Sequence, residues 1–195
     1  MKRLFDIVVS FVALLILFLP GLAIALVIVL GSRGGVFFTQ TRVGLEGHPF
    51  KILKFRTMRP ESEASGQLTV GERDPRITRE GAFLRKSKLD ELPQLLNILK
   101  GDMSFVGPRP EVPKYVELYN NEQRKVLDVR PGLTDQASLE YFEEDKLLGA
   151  SVDPERTYIE EIMPHKLALN LEYLENRSFL RDLGVMWRTV KRIVS

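Results

Sequence analysis

The sequence predicts an α+β fold that is mostly α, with an apolar helix leading into one small domain. Three observations predict it. Residues 7–30 form a run of 24 without a charge, about 36 Å of helix against a hydrocarbon core of about 30 Å. Short β-branched and aromatic runs stand at 36–39 and 50–55, and each reads as a strand. Much of the remainder carries apolar residues at helical spacing, as in Leu92, Leu95, Leu96 and Leu99. The 195 residues, 44% hydrophobic and 28% charged, suit a single domain with an appended segment and exclude a disordered or collagen-like chain. The natural division is 1–35 as anchor and 36–195 as domain.

The anchor is too long for the apolar region of a signal peptide, usually about 7–15 residues. It is also apolar on every face for longer than a buried soluble helix usually is. Pro20 sits near its middle, and proline removes a backbone donor and clashes with the carbonyl four residues earlier, so a kink is expected. Lys2 and Arg3 lie on one side of the run, Arg33 and Arg42 on the other. The positive-inside rule then places both flanks in the cytoplasm, which a straight span cannot satisfy. A helix broken at Pro20 that dips in and returns satisfies it; an ordinary kinked span is the alternative, and both stay open on these grounds.

Within the domain, residues 60–75 are rich in Glu, Ser, Gly and Asp and read as a surface loop, over a site or merely solvated. A helix is expected over 89–100, starting just before Pro93 and stopped by Gly101. A stiff loop follows over 104–110, then a helix over 112–127 ended before Pro131-Gly132. A further helix is expected over 159–174, interrupted at Pro164. At the C-terminus Phe179, Leu183, Met186 or Trp187, Val190 and Val194 form an apolar stripe among Arg181, Arg188, Lys191 and Arg192. Such a helix lies in a membrane interface or packs on a core with its basic residues solvated; the sequence leaves both open.

Cysteine is absent and only His48 and His165 are present. Disulfides, thiolate zinc sites, cysteine nucleophiles and multi-histidine metal sites are thereby excluded. Residues 1–35 carry a net charge of +2, residues 177–195 carry +4, and the middle carries −4. Basic ends around an apolar segment favour an anionic membrane surface. The acidic middle offers no broad basic face, so nucleic acid is not an expected partner.

Three groups of residues can carry chemistry. Asp90-Glu91 stands at a helix start after Arg85, Lys86 and Lys88. Paired acids there often only complement the helix dipole. A carboxylate can also attack phosphorus and form an acyl phosphate, and a divalent ion would lower its repulsion from a pyrophosphate. Pro108-Arg109-Pro110 fixes the backbone on both sides of one guanidinium, which lowers the entropy cost of aiming it at a phosphate; an ordinary rigid turn is the plain alternative. Lys54 and Arg56 alternate along an extended segment, so both can face one anion or merely solvent.

Longer motifs then carry a resemblance. Phe38-Thr39-Gln40-Thr41-Arg42-Val43-Gly44 precedes Lys51-Ile52-Leu53-Lys54-Phe55-Arg56-Thr57-Met58. Leu89-Asp90-Glu91-Leu92-Pro93-Gln94-Leu95-Leu96-Asn97 runs on to Gly107-Pro108-Arg109-Pro110, and Arg130-Pro131-Gly132-Leu133-Thr134 follows. Together they resemble the bacterial sugar transferases, the monotopic phosphoglycosyl transferases, in their minimal catalytic unit and over nearly the whole chain. The resemblance implies a re-entrant membrane helix and a small cytoplasmic catalytic domain with interfacial amphipathic helices, on the cytoplasmic face of the bacterial inner membrane. It implies ping-pong transfer of a sugar 1-phosphate from a nucleotide diphosphate sugar, usually a UDP-sugar, to polyprenyl phosphate, releasing UMP. Asp90 would be the nucleophile, Glu91 its acid/base partner, and Mg²⁺ would sit on Asp90 and the donor's phosphates. Arg109 would hold the donor, with Lys54 near the phosphates and Arg56, Arg85, Pro108 and Pro110 in the binding region. The anchor would break at Pro20. Membrane lipid is then a partner, and a homodimer is left open.

The chain departs from the pattern in three places. Asp135-Gln136-Ala137-Ser138-Leu139-Glu140-Tyr141-Phe142 replaces a motif whose arginine would fall at Phe142, Asn170 stands for an aspartate, and Leu19 for a serine. The sugar therefore stays unnamed. The rival classes are an inactive membrane-anchored scaffold and a nucleotide-sugar sensor.

Overall fold

A computed structural model describes residues 1–60, 68–71 and 74–194. Most of the expected loop over 60–75 lies outside the described residues. The apolar run forms two helices, α1 (Lys2–Ile16) and α2 (Phe18–Gly31), bent by 61°. The break falls at Leu17, three residues before Pro20, which sits in the first turn of α2. The displacement has a simple cause. A proline ring clashes one turn upstream of itself, so the ladder parts there while Pro20 occupies a position where its missing N–H costs little.

One face of each helix is packed. Phe5, Val9, Ala13, Leu14 and Leu17 rest on a core of Ile52, Leu95, Ile98, Met103 and Phe105, while Ile24 and Ile28 rest on Phe55 and Leu84. The other faces leave Phe11, Leu15, Leu19, Leu22 and Leu26 exposed. The polar residues at the start of α1 are bonded to the domain. Lys2 Nζ donates to Val106 O at 2.8 Å and pairs with Asp182 at 2.6 Å. Arg3 donates to Ile98 O and Leu99 O at 2.6 and 3.0 Å, and the buried Asp6 accepts from Phe105 N at 3.3 Å.

Two strands follow, β1 (Phe37–Val43) and β2 (Pro49–Phe55), paired antiparallel with Phe37 opposite Phe55 and Thr39 opposite Leu53. Helix α3 (Arg79–Lys86) is capped by Thr78, whose Oγ1 accepts from Gly81 N at 3.0 Å. The backbone of Gly81 lies directly on Thr57, and a Cβ there would overlap the Thr57 carbonyl. Gly81→Ala is therefore expected to cost about 3 kcal/mol and to lower the melting temperature by roughly 10 °C in a thermal melt.

A 3₁₀ turn (Leu89–Glu91) leads into α4 (Gln94–Lys100), which ends on Gly101 at φ 105° as expected. The stiff loop expected over 104–110 begins as a strand, β3 (Ser104–Val106), parallel to β4 (Gly132–Thr134) with Ser104 opposite Gly132. Strands this short leave no alternation to read. The helix expected over 112–127 is also corrected. It is α5 (Pro113–Val116) followed by a 3₁₀ segment (Gln123–Asp128). Asn120 and Gln123 exchange side-chain bonds with each other's backbone N–H at 3.0 and 2.9 Å, an arrangement that starts a new helical turn instead of continuing the old one.

Helices α6 (Gln136–Glu140), α7 (Glu144–Ala150) and α8 (Pro154–Thr157) precede a π-helical turn (Tyr158–Ile162) and α9 (Met163–Glu175), which takes Pro164 in its first turn. Helix α10 (Phe179–Val194) closes the chain. Val185 is fully buried, while Leu180, Trp187 and Val190 are exposed, so α10 packs on the core along one edge and leaves an apolar edge outside.

Candidate active site

Asp90 and Glu91 lie in the 3₁₀ turn between α3 and α4. The turn follows Lys88, whose φ of 55° is a left-handed conformation uncommon outside glycine. This reversal folds the acidic pair back against β2. Asn97 of α4 fixes β2 alongside, its Oδ1 accepting from Leu53 N at 3.0 Å and its Nδ2 donating to Lys51 O at 2.8 Å. Lys54, the next residue of the strand, thereby reaches Glu91 Oε1 at 2.8 Å.

Arg109 arrives from the opposite side, with Nη2 2.5 Å from Glu91 Oε1. Its loop is held at both ends. Arg109 N donates to Asp135 Oδ2 at 2.8 Å, and Arg42 Nη1 donates to Pro110 O and Glu111 Oε1 at 3.1 and 3.2 Å. Glu111 also accepts from Val112 N and from the Tyr158 hydroxyl. Pro108 takes part through its carbonyl, which accepts from Gly132 N at 3.0 Å.

The other two expected basic residues have further partners. Arg85 donates to Thr69 Oγ1 at 2.9 Å. Arg56 is directed away from the acidic pair, its guanidinium donating to Ser32 O at 2.8 Å and Arg33 O at 2.5 Å. Carbonyls at the C-terminus of α2 lack partners within the helix, and the planar fork supplies them. Lys54 and Arg56 therefore do not share a ligand: Lys54 pairs with the Glu91 carboxylate, and Arg56 donates to neutral backbone carbonyls.

The carboxylates differ in their electrostatics. Burial and then the neighbouring Glu91 push Asp90 above the usual aspartate range, against the pull of Lys54, Arg85 and Lys88. Burial also works on Glu91, but Arg109 and Lys54 together outweigh it and hold Glu91 well below the usual range. Burial lowers Lys54, with Glu91 opposing. Four cations face two carboxylates, an excess that suits a polyanionic ligand. Asp90 Oδ1 is buried with no hydrogen-bond partner among the described residues.

A comparison of the whole chain decides the family. A model of the bacterial sugar transferases matches residues 1–195. The chain belongs to the bacterial sugar transferase family. Its relatives include a UDP-glucose:undecaprenyl-phosphate glucose-1-phosphate transferase of Caulobacter vibrioides, 39% identical over 100% of this chain and 70% of the relative. An Aeromonas hydrophila relative, named UDP-N-acetylgalactosamine-undecaprenyl-phosphate N-acetylgalactosaminephosphotransferase, is 35% identical over 100% of this chain and 44% of its own. An uncharacterized sugar transferase of Bacillus subtilis, EpsL, is 37% identical over 100% of this chain and 87% of the relative. The two named sugars differ, so membership in the family leaves the sugar of this transferase undetermined.

The same site offers oxygen ligands to a magnesium ion. No group of three His, Asp or Glu converges among the described residues. Mg²⁺ needs no such cage, because one or two carboxylates commonly hold it together with substrate phosphates and water. The unpartnered Oδ1 of Asp90 fits that demand.

Several residues that shape this site escaped the sequence reading. Asn97, Glu111 and Asp135 position Lys54 and Arg109 through contacts distant in sequence. Only Asp135 left a local signal, as the N-cap of α6 whose side chain accepts from Ser138 N.

Proposed function

We propose that the chain transfers a sugar 1-phosphate from a UDP-sugar to polyprenyl phosphate through a covalent phosphosugar on Asp90. The observation that carries this reading is the buried, unpartnered Oδ1 of Asp90 among an excess of cations. In the first half-reaction a carboxylate oxygen of Asp90 bonds to the sugar-bearing phosphorus, the bridging P–O bond of the diphosphate breaks, and UMP leaves with the electron pair. In the second, a phosphate oxygen of the lipid bonds to the same phosphorus and the Asp90 carboxylate leaves. Splitting the transfer spares the site from holding two anionic substrates at once. Asp90 would hold Mg²⁺ together with the donor's phosphates, and the ion would offset negative charge on the reacting groups.

Glu91 begins as the shared anion of Lys54 and Arg109. A bound diphosphate competes for both cations, and Glu91, relieved of them, becomes a stronger base towards the acceptor. Arg109 keeps the planar, bidentate donor on a fixed loop, so it is the residue that orients the donor.

The reading extends to the membrane. The bent pair α1–α2 is bonded to one domain at both ends, through Lys2, Arg3 and Asp6 at its start and through the Ser32 and Arg33 carbonyls at its end. A single domain lies on one side of a bilayer, so the pair enters and leaves by the same face, with the exposed leucines of its bend in the lipid and the apolar edge of α10 at the interface. The chain has no cysteine, so single introduced cysteines report cleanly. One inserted after Met1 and one replacing Arg33 are expected to label from the cytoplasmic side only; labelling of the first from the opposite side contradicts re-entry.

The function is tested by nucleoside monophosphate release from a panel of UDP-sugars with Mg²⁺, with and without polyprenyl phosphate. One equivalent of UMP from donor alone, and steady turnover with acceptor, are expected. Binding without release favours a sensor, and neither favours a scaffold.

A further inference from the structure

An irregular helical segment, distant in sequence, reaches the end of the Arg109 loop. Pro164 has no N–H for the carbonyl of Glu160, four residues earlier, and its ring clashes with that carbonyl. The chain widens there into the π-helical turn Tyr158–Ile162, which runs directly into α9. The extra residue changes which side chain faces inward. Met163, Leu167 and Asn170 lie on the buried face of α9, and an unbroken α-helix would continue that face to Ile159. Tyr158 is buried instead, five residues before Met163, while Ile159 is half-buried. The Tyr158 ring packs on Tyr115 with centroids 4.9 Å apart, and its hydroxyl donates to Glu111 Oε2. Burial, and then the Glu111 charge, raise Tyr158 well above the usual tyrosine range, so the hydroxyl keeps its proton and acts as a donor.

Glu111 directly follows Pro108-Arg109-Pro110. Its Oε1 accepts from Val112 N at 2.8 Å and from Arg42 Nη1 at 3.2 Å, and its backbone O accepts from Val43 N at 2.9 Å. Oε2 is left for Tyr158. Burial lowers Arg42, Glu111 opposes this, and Arg109 adds to the lowering, so the two guanidiniums are close enough to repel. Holding Glu111 at both oxygens keeps Arg42 compensated and its bond to Pro110 O in place.

We propose that Tyr158 is a positioning residue for the donor: through Glu111 it fixes the loop that aims Arg109 at the diphosphate of the nucleotide substrate. The inference rests on the reading of Arg109 as a donor ligand. The ligand chemistry is a nucleoside diphosphate, and the lipid acceptor makes no demand on this bond. A loop already held in its binding conformation pays less ordering entropy when the ligand arrives.

The test measures affinity without turnover. Asp90→Asn protein in lipid nanodiscs, the parent here, is titrated with UDP and, separately, with undecaprenyl phosphate at fixed ionic strength. Tyr158→Phe keeps the ring on Tyr115 and removes only the hydroxyl. It is expected to weaken UDP binding about fivefold and to leave undecaprenyl phosphate binding within about twofold of the parent. In an Arg109→Gln background the same substitution should change UDP affinity by less than about twofold, because the hydroxyl acts through the guanidinium that is gone. Unchanged UDP affinity, an equal loss for both ligands, or the same loss with and without Arg109 would overturn the proposal. If Tyr158→Phe does not fold, Glu111→Gln carries the same comparison. It retains an oxygen for Arg42 and Val112 and removes the charged acceptor of Tyr158. Its loss of UDP affinity should likewise vanish in the Arg109→Gln background, and a loss that persists there would overturn the proposal. A parent that does not bind UDP would refute the donor reading itself. A parent that binds UDP with no dependence on Tyr158 or Glu111 would refute this inference alone.

Discussion

Asp90→Asn is expected to remove turnover, with kcat/KM lower by on the order of 10³-fold or more. An amide keeps the shape of the side chain but is a poor nucleophile towards phosphorus. The same substitution should not weaken the fold. The folded-state pKa of Asp90 is raised, chiefly by burial, so the stabilising balance is present below the unfolded value and is lost as pH rises through the folded one. At neutral pH an ionised Asp90 therefore costs the folded state energy, and asparagine removes that cost. Kinetics paired with thermal melts at pH 7 to 8 should show an inactive protein with an equal or higher melting temperature. An inactive variant that also unfolds early would give Asp90 a structural role.

Glu91→Gln should, by contrast, weaken the fold. Glu91 is the shared anion of Lys54 and Arg109, and its loss leaves both cations uncompensated in a largely buried site. Removing one partner of such an arrangement costs about 3 kcal/mol, and roughly 10 °C in the melting temperature. Because the folded-state pKa of Glu91 is depressed, its contribution is present above the unfolded carboxylate value and is lost as pH falls through the folded one. The gap between the two proteins should accordingly narrow in acid. The variant also removes a like charge beside Asp90 and releases two cations to it. The acidic limb of the kcat/KM profile should move to lower pH, whereas Lys54→Met, which removes the strongest cation acting on Asp90, should move it to higher pH. Limbs that stay together in the two variants would contradict this electrostatic account.

The parts of the fold that the sequence made legible are those governed by local pattern. A charge-free run with a proline predicts a bent anchor, Gly101 predicts a helix stop, and alternating residues predict the strands of the hairpin. Even there the bend falls one turn before Pro20, because the ring acts upstream of its own position. Features set by distant pairing were hidden. The parallel pair β3–β4 consists of three-residue strands with no periodicity. The break after α5 is local, but it rests on a reciprocal bond between Asn120 and Gln123 that apolar spacing does not reveal. Basic residues were the hardest to assign, since an arginine's partner is chosen by the tertiary fold. Lys2 and Arg3 read as charges that set topology, and both are bonded to the domain. Arg56 reads as a ligand-facing residue, and its guanidinium caps the C-terminal end of α2. Lys54 and Arg109 converge on the acidic pair as the motifs imply, but on Glu91, with Asp90 left open.

Asp90 is expected to form a covalent bond to phosphorus during the transfer. The most direct measurement is mass spectrometry of the chain quenched after incubation with a UDP-sugar and Mg²⁺, without acceptor, followed by peptide mapping. A mass increase equal to one phosphosugar on the peptide containing Asp90, absent from Asp90→Asn and discharged by polyprenyl phosphate, is the expected result. Turnover of the same preparation with no adduct on that peptide, or with the adduct on another residue, would contradict it.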